Sequence, residues 1–440
     1  MEGDVILAGA SVRSLAESAI RSGLRPICVD MFGDADLQLA LNEIQLTSQS
    51  LHLIQRFTDV PNALKNVSTD IPLIPVGGLE NDQTTIQQLR KQRSVWLADD
   101  RTLDALQNPD QLFGTLQQQG CSVPRWQTGT AADNSVRWLK KKLRSAGGTG
   151  VTFHTSHTSH DLLKGGWNEG SSADSQKFHL QEFIDGVPLS ATFLSGPSVP
   201  QLSHQVRLLG CALQLSGCGE LYAPGFQFCG NAGPVVVPTA LQTQLQLMAQ
   251  TIVDHWPIIG VFGIDVIVRN GVAFLLEVNA RPTASHELHE RDAPASGHVK
   301  LHCDAWRSKG DDEMAREFQD RRRSKDIPAS EIRARLVIYA DRNLRLSQDQ
   351  QRQLLCHCRP IRLTTESRPD VWLADIPSAN TLIPRQTPFC SVYLPLPEHA
   401  DKRLSDSGRQ VLKMLPVSIT NGLTHLFRRI QCSLHHLELH

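Results

Sequence analysis

Residues 262–288 read FGIDVIVRNGVAFLLEVNARPTASHEL, and the fold turns on this stretch. Two apolar runs, 260–268 and 272–278, flank Arg269-Asn270-Gly271. Asn-Gly between such runs is a strong hairpin signal, because both residues accept the left-handed backbone of a tight turn. The hairpin sets Asp265 in one strand and Glu277 in the other, beside each other across the ladder. Asn279 stands two residues beyond Glu277, so the two side chains share a face. Two carboxylates and an amide oxygen inside apolar strands need a neutralising partner. An oxygen-only set suits a hard cation, Mg²⁺ above all, and Mg²⁺ usually comes with phosphates. Salt bridges to Arg281 or Arg269 would satisfy the same acids, and this stretch alone weighs the two readings equally.

Two upstream stretches extend the pattern. Residues 138–151, WLKKKLRSAGGTGV, read as a lysine-bearing strand running into a Gly-Gly-x-Gly loop. Glycines let backbone N–H groups approach phosphates, and a lysine adds a point charge. The lysines precede the glycines and GxxxxGK[ST] is absent, so this is not a P-loop. Residues 178–186, FHLQEFIDG, place Leu180 and Phe183 around Gln181-Glu182. An apolar slot with exposed backbone edges fits an adenine ring, and an ordinary half-buried strand fits the pattern too.

Further out, strands at 4–10 and 26–30 bracket a helix at 14–22 that Gly23 stops, a βαβ unit. A strand at 71–76, a helix at 84–92 and a strand at 95–98 continue it, and such alternation argues for a parallel sheet. A helix at 109–119 opens on Pro109 and closes at Gly120. Strands at 177–184, 188–195 and 202–209 and an amphipathic helix at 240–255 follow. Residues 304–325 are highly charged and read as a solvated helix or linker. After residue 330, short strands at 335–340, 371–374 and 390–394 among many prolines suggest a small β-rich module, and the His-rich tail 434–440 reads as a frayed end.

Composition sets the outer limits. The 440 residues suffice for several cores, and 44 basic against 45 acidic residues leave a net charge of −1. That balance speaks against a nucleic-acid partner held by bulk charge. No apolar run approaches the roughly 18 residues of a membrane span. The N-terminus lacks a signal-peptide pattern, so a cytoplasmic protein is expected. The ten cysteines are scattered without a CxxC pair and read as reduced, mostly buried thiols. Residues 9–14, GASVRS, follow a strand but lack the glycines of a dinucleotide fingerprint. His154, His157 and His160 fall in a polar loop and read as solvated, while Cys211 and Cys218 read as packing residues.

A lysine and Gly-rich loop, then QEFIDG, then Asp…Glu-x-Asn, in that order, resembles the ATP-grasp superfamily across about residues 1–300. The resemblance implies an α/β chain with a Rossmann-like domain at 1–107 and an ATP-grasp domain of two α+β subdomains at 108–303. A charged linker at 304–329 and the β-rich module at 330–440 would complete it. Asp265, Glu277 and Asn279 would bind Mg²⁺, with Mn²⁺ as a substitute. Lys141 would hold phosphate, or Lys140 or Lys142 in a shifted register. Gly147, Gly148 and Gly150 would form the phosphate lid, and Gln181, Glu182, Phe183 and Ile184 the adenine hinge of the ATP site. Arg281 would face the phosphate or a bound carboxylate, and Arg207, Ser285 and His286 are candidates for substrate contact.

A closer likeness is to a group described as predicted ATP-dependent carboligases related to biotin carboxylase. It is carried by residues 10–36, by GGLEN at 77–81, by NARPTASHEL at 279–288 and by residues 372–390. The group's setting hints at biosynthesis of a one-carbon, pterin-type cofactor. The implied reaction is an ATP- and Mg²⁺-dependent ligation of a small-molecule carboxylate to an amine through an acyl phosphate, with no protein nucleophile, and homodimers are common among such enzymes. A carboxylase is the close alternative. There a Glu four residues after the arginine serves bicarbonate, whereas here that position is Ser285 and the nearest Glu is Glu287. A kinase, or a nucleotide-binding protein without turnover, would share the same motifs.

Overall fold

The computed structural model describes residues 3–46, 50–128, 135–154, 178–197, 206–290, 297–321, 332–359, 370–396 and 417–438. Strands β1 (Val5–Gly9) and β2 (Pro26–Asp30) are buried at every position, as both faces of a parallel sheet require. The helix Arg13–Arg21 joins them. With β3 (Leu51–Leu53) and β4 (Leu73–Val76) they form a parallel sheet of order β3-β2-β1-β4. The strand expected at 95–98 is reduced to one bridge, between Val95 and Leu73.

A second sheet holds β5 (Trp126–Gln127), β6 (Trp138–Lys142), β7 (Val151–Phe153) and β8 (Phe178–Glu182) in the order β5-β8-β6-β7. The third and largest has eight strands in the order β13-β12-β9-β10-β11-β14-β16-β15. Its members are β9 (Val187–Ser195), β10 (Val206–Ser216), β11 (Phe228–Val235), β12 (Gly260–Arg269) and β13 (Val272–Asn279). They are joined by β14 (Arg333–Tyr339), β15 (Trp372–Ala374) and β16 (Pro388–Pro395). The C-terminal strands therefore hydrogen-bond onto β11 and continue this sheet. The helix Thr239–His255 covers it, burying Leu241, Leu245, Met248 and Ile252 at helical spacing.

Three further departures from the sequence reading stand out. Strand β10 starts at Val206 and runs to Ser216, and the earlier part of the expected strand lies outside the described residues. Strand β11, FCGNAGPV, went unread because two glycines and a proline disguise it. The His-rich tail belongs to the helix Val417–Glu438, which buries Leu423, Leu426, Ile430 and Leu437; residues 439–440 lie outside the described ones. The charged segment 304–325 overlaps the end of the helix His298–Arg307, which packs on the helix Arg13–Arg21, and holds the helix Asp312–Arg321. Among the described residues, no helix is long and apolar enough to cross a membrane. All ten cysteines are free, and all but Cys356, Cys358 and Cys432 are buried.

A buried ion network locks the first and third sheets together. Arg13, 1% exposed, donates through Nε to Asp375 at 2.6 Å and through Nη2 to Glu287 at 3.0 Å. Arg335 donates to the other oxygen of Asp375 at 2.9 Å, and the Tyr393 hydroxyl donates to Glu287. The backbone N–H groups of Asp375 and Ile376 donate to Asp36, each at 2.9 Å. Burial alone would raise the Glu287 carboxyl, but Arg13 and Arg335 hold it down at about 2.

Candidate functional site

The hairpin that opened the sequence reading forms as its turn residues dictate. Asn270 and Gly271 have φ of 53° and 72°, the left-handed pair of a two-residue turn. The register sets Asp265 opposite Glu277 and Gly263 opposite Asn279. Asn279 Nδ2 donates to Asp265 Oδ2 at 3.2 Å. Asp265 is buried on the face it shares with Ser190 of β9, whereas the Glu277 side chain is half exposed at 52%.

Burial, then the facing Glu277 carboxylate, pushes Asp265 up to about 7, against hydrogen bonds with Ser190 and Gln214. Desolvation would also raise Glu277, but Lys141, Asp265, Asn279 and Arg281 together hold it below the usual carboxylate range. The two acids thus oppose each other across one rung of the ladder, and a cation between them would relieve the repulsion. Asp265, Glu277 and Asn279 offer only oxygen ligands to it, which fits Mg²⁺.

Lys141 reaches this pair from the second sheet. Its Nζ lies 3.6 Å from Glu277 Oε2 and donates to the Leu276 carbonyl at 3.4 Å. Neighbouring Lys140 instead lies 3.9 Å over the Phe178 ring, as the alternation of a strand requires. Strand β6 pairs with β8 so that Leu139 faces Gln181 and Lys141 faces His179. Burial and then the Lys141 charge lower His179 to about 4.

The glycine loop joins β6 to β7. Gly147 and Gly148 take φ of 62° and 76°, and a Cβ on Gly148 would run into the Phe226 carbonyl. The Phe228 N–H donates to the Gly147 carbonyl at 3.0 Å, so the loop is docked on the β10–β11 connection, and Gly150 lies against Ser145. On the hinge, Gln181 and Ile184 are buried, and Glu182 accepts from Arg125 at 3.3 Å. Phe183 packs on Phe153 at 5.3 Å, with the Arg137 guanidinium 4.5 Å over its ring.

Arg281, just past β13, donates from Nε to Glu80, and Glu80 also accepts the Gly78 N–H at 2.9 Å. Ser285 is buried in a hydroxyl cluster, 3.0 Å from Thr283, 3.2 Å from Thr192 and 3.5 Å from Ser190. His286 turns away from the cleft, its Nε2 3.1 Å from Ser14 Oγ. Arg207 pairs through Leu194 with Val261, four residues along β12 from Asp265. At about 3.3 Å per residue that is about 13 Å away. The structure therefore brings together Lys141, Asp265, Glu277, Asn279 and Arg281. It does not bring Arg207 or His286 to them.

Sequence reasoning missed Glu80, Arg137, Ser190 and Gln214. Only Glu80 had a signal, the GGLEN run at 77–81 whose likeness was noted without a role.

Residues 110–285 match the family defined as the ATP-grasp domain. A search by sequence among curated proteins gives no match. Among solved structures, one similar chain is N5-carboxyaminoimidazole synthase from Aspergillus clavatus in complex with ADP and 5-aminoimidazole ribonucleotide. The TM-score is 0.57 at 11% identity, over 96% of this chain and 100% of that one. L-amino acid ligase from Bacillus licheniformis gives 0.54 at 12% identity, over 90% of this chain and 94% of that one. Rhizobium etli pyruvate carboxylase gives 0.58 at 12% identity, over 90% of this chain but 38% of that one. At such identities the likeness is one of fold.

Proposed function

We propose, from the premise that residues 110–285 are an ATP-grasp domain, that this chain is a Mg²⁺- and ATP-dependent ligase. It joins a small carboxylate to an amine through an acyl phosphate. The observation that carries the reading is the meeting of Lys141, across two sheets, with the Asp265–Glu277 rung and the neighbouring Asn279.

In this reading Asp265, Glu277 and Asn279 hold Mg²⁺, and the ion, when bound, offsets charge on the transferring phosphoryl group. Lys141 leaves Glu277 for the phosphates, and the loop at Gly147, Gly148 and Gly150 covers them and excludes water. Gln181, Glu182, Phe183 and Ile184 border the adenine slot. Arg281, aimed by Glu80, orients the acid. A carboxylate oxygen attacks the γ-phosphorus and ADP leaves; the amine nitrogen then attacks the acyl carbon and phosphate leaves. Orientation and fixed charge suffice for both steps, so no protein nucleophile is needed.

Carboxylation of an amine with bicarbonate is the second reading, favoured by the fold likeness to carboxylases. Two residues weigh against it. Ser285 stands among hydroxyls where a base would be needed, and the nearest acid, Glu287, is held by Arg13, Arg335 and Tyr393. No residue of the cleft favours a pterin-type cofactor over another acid, so the substrates are proposed as a class.

The test is release of ADP and phosphate on offering acid and amine pairs, with bicarbonate as one acid. Acid-dependent release abolished by Glu277→Ala supports the ligase. Release that needs only bicarbonate supports the carboxylase. A stable phosphorylated product indicates a kinase, and ATP binding that no acid turns into release indicates a protein without turnover.

A further inference from the structure

Away from the cleft, three helices meet beneath the loop that follows β13: Arg13–Arg21, His286–His289 and His298–Arg307. There one nitrogen of His286, one nitrogen of His298 and a carboxylate oxygen of Glu290 lie within 4.8 Å of one another. All three side chains are shut off from solvent: the residues His286 and His298 are 1% and 3% exposed, and the Glu290 side chain 3%. From this convergence we infer a second metal site, of zinc type, formed by His286, Glu290 and His298 and distinct from the Asp265–Glu277 cleft.

The ring nitrogens support it. His286 Nε2 meets Ser14, and its Nδ1 has no hydrogen-bond partner although Glu290 Oε1 stands 3.8 Å away. With Ser14 accepting from Nε2–H, the Nδ1 lone pair faces the carboxylate, the arrangement by which an outer partner orients a metal-binding imidazole. His298 Nδ1 has no partner, nor has either nitrogen of adjacent His289. Buried nitrogens left without a partner destabilise the fold. One divalent ion satisfies several of them together.

Two imidazoles and a carboxylate are a zinc ligand set, and His289 is the neighbouring group for a fourth position. Zinc bonds of about 2.0–2.1 Å set tetrahedral ligands about 3.3 Å apart, so the widest separation would close by up to about 1.5 Å. Glu290 is already oriented. Its Oε2 accepts from Arg21 at 2.7 Å, and its Oε1 accepts from the Ser18 hydroxyl and from the His298 N–H at 2.5 Å. The ion takes the place of the Ser18 proton on Oε1, while Ser18 still accepts the Val299 N–H at 3.2 Å. The Arg21 charge beside the site is shared with Glu17 at 3.2 Å. Such an ion ties the segment His286–Glu290 to the helix His298–Arg307.

The test uses the full chain, stripped by chelation and then loaded with Zn²⁺ or Co²⁺. The expected result is one Zn²⁺ per chain retained through gel filtration, a raised thermal midpoint, and the strong visible bands of a four-coordinate Co²⁺ site. His298→Ala and Glu290→Gln should weaken retention at least about tenfold. Glu277→Gln, and exchange of His154, His157 and His160 for Gln, should leave it unchanged. Retention unaffected by His298→Ala, loss on changing the three loop histidines, a weak six-coordinate Co²⁺ spectrum, or no retained ion would each overturn the site. His286 and Glu290 would then be only a buried contact of the fold. The Co²⁺ spectrum of the unaltered chain decides the question even if His298→Ala does not fold.

Discussion

Two regions of this molecule gather charge, and they do so to different ends. In the junction around Arg13, each charge has a partner: Asp375 lies at 2.6 Å from Arg13 and 2.9 Å from Arg335, and Glu287 has Arg13 and Tyr393. In the cleft, Asp265 faces a second acid across the ladder, and the lysine that compensates lies 3.6 Å from Glu277. The pKa directions differ between the facing acids. Glu287 is held down at about 2 by Arg13 and Arg335, whereas burial and Glu277 push Asp265 up to about 7; Asp36, at the junction's edge, is also raised to about 7 because burial outweighs Arg13. The network ties the first and third sheets together, whereas the acid pair is where we propose a cation binds.

The largest expected break is at the junction. Arg13→Met leaves Asp375 and Glu287 short of a partner in a buried place, at an expected loss of about 3–5 kcal/mol in unfolding free energy. Urea unfolding measures it. Second comes Glu277→Gln, which should cut acid-dependent ADP formation about 10²–10³-fold while changing unfolding free energy by less than about 1 kcal/mol. If the two variants exchange phenotypes, the division of labour is reversed.

The pH profile sharpens the comparison, because Glu287 and Asp265 slope in opposite directions. Glu287, depressed in the fold, contributes stability present above its unfolded value near 4.5 and lost as pH falls through about 2. Asp265, raised in the fold, contributes stability present below about 4 and lost as pH rises through about 7. Asp265→Asn should therefore flatten the decline between about pH 4 and 7, and Glu287→Gln the acid limb, in denaturant midpoints taken across pH. The smallest effect is expected at Ser285→Ala, about 1 kcal/mol of stability from the lost hydroxyl contacts, read in the same unfolding series.

The contrast also marks where the sequence was legible. The cleft was largely readable because its logic is local: Asn270-Gly271 fixes the turn, the turn fixes the register, and the register faces Asp265 with Glu277. The choice of Lys141 among three successive lysines rested on the resemblance, since alternation requires knowing the partner sheet; the structure sets Lys141 beside Glu277. The junction's contacts were not legible, although its residues lie in stretches whose likeness was noted, because they span the chain: Arg13 and Glu287 are 274 residues apart, and Arg13 and Asp375 are 362 apart. An arginine on a nine-residue helix looks solvated until a distant strand covers it. Strand β11 was hidden by glycine and proline, and the tail helix by its histidines. The His286–Glu290–His298 cluster needed the fold, since two segments of the chain supply it.

The account's central claim is that the Asp265–Glu277–Asn279 rung receives the cation that accompanies ATP. Binding of Mn²⁺ with ATP, followed by electron paramagnetic resonance, tests it most directly. The unaltered chain should bind Mn²⁺ far more tightly with ATP than without, and Glu277→Gln should weaken that binding at least about tenfold, about 1.4 kcal/mol, in a chain that still unfolds normally. Equal Mn²⁺–ATP binding by the two chains would contradict it.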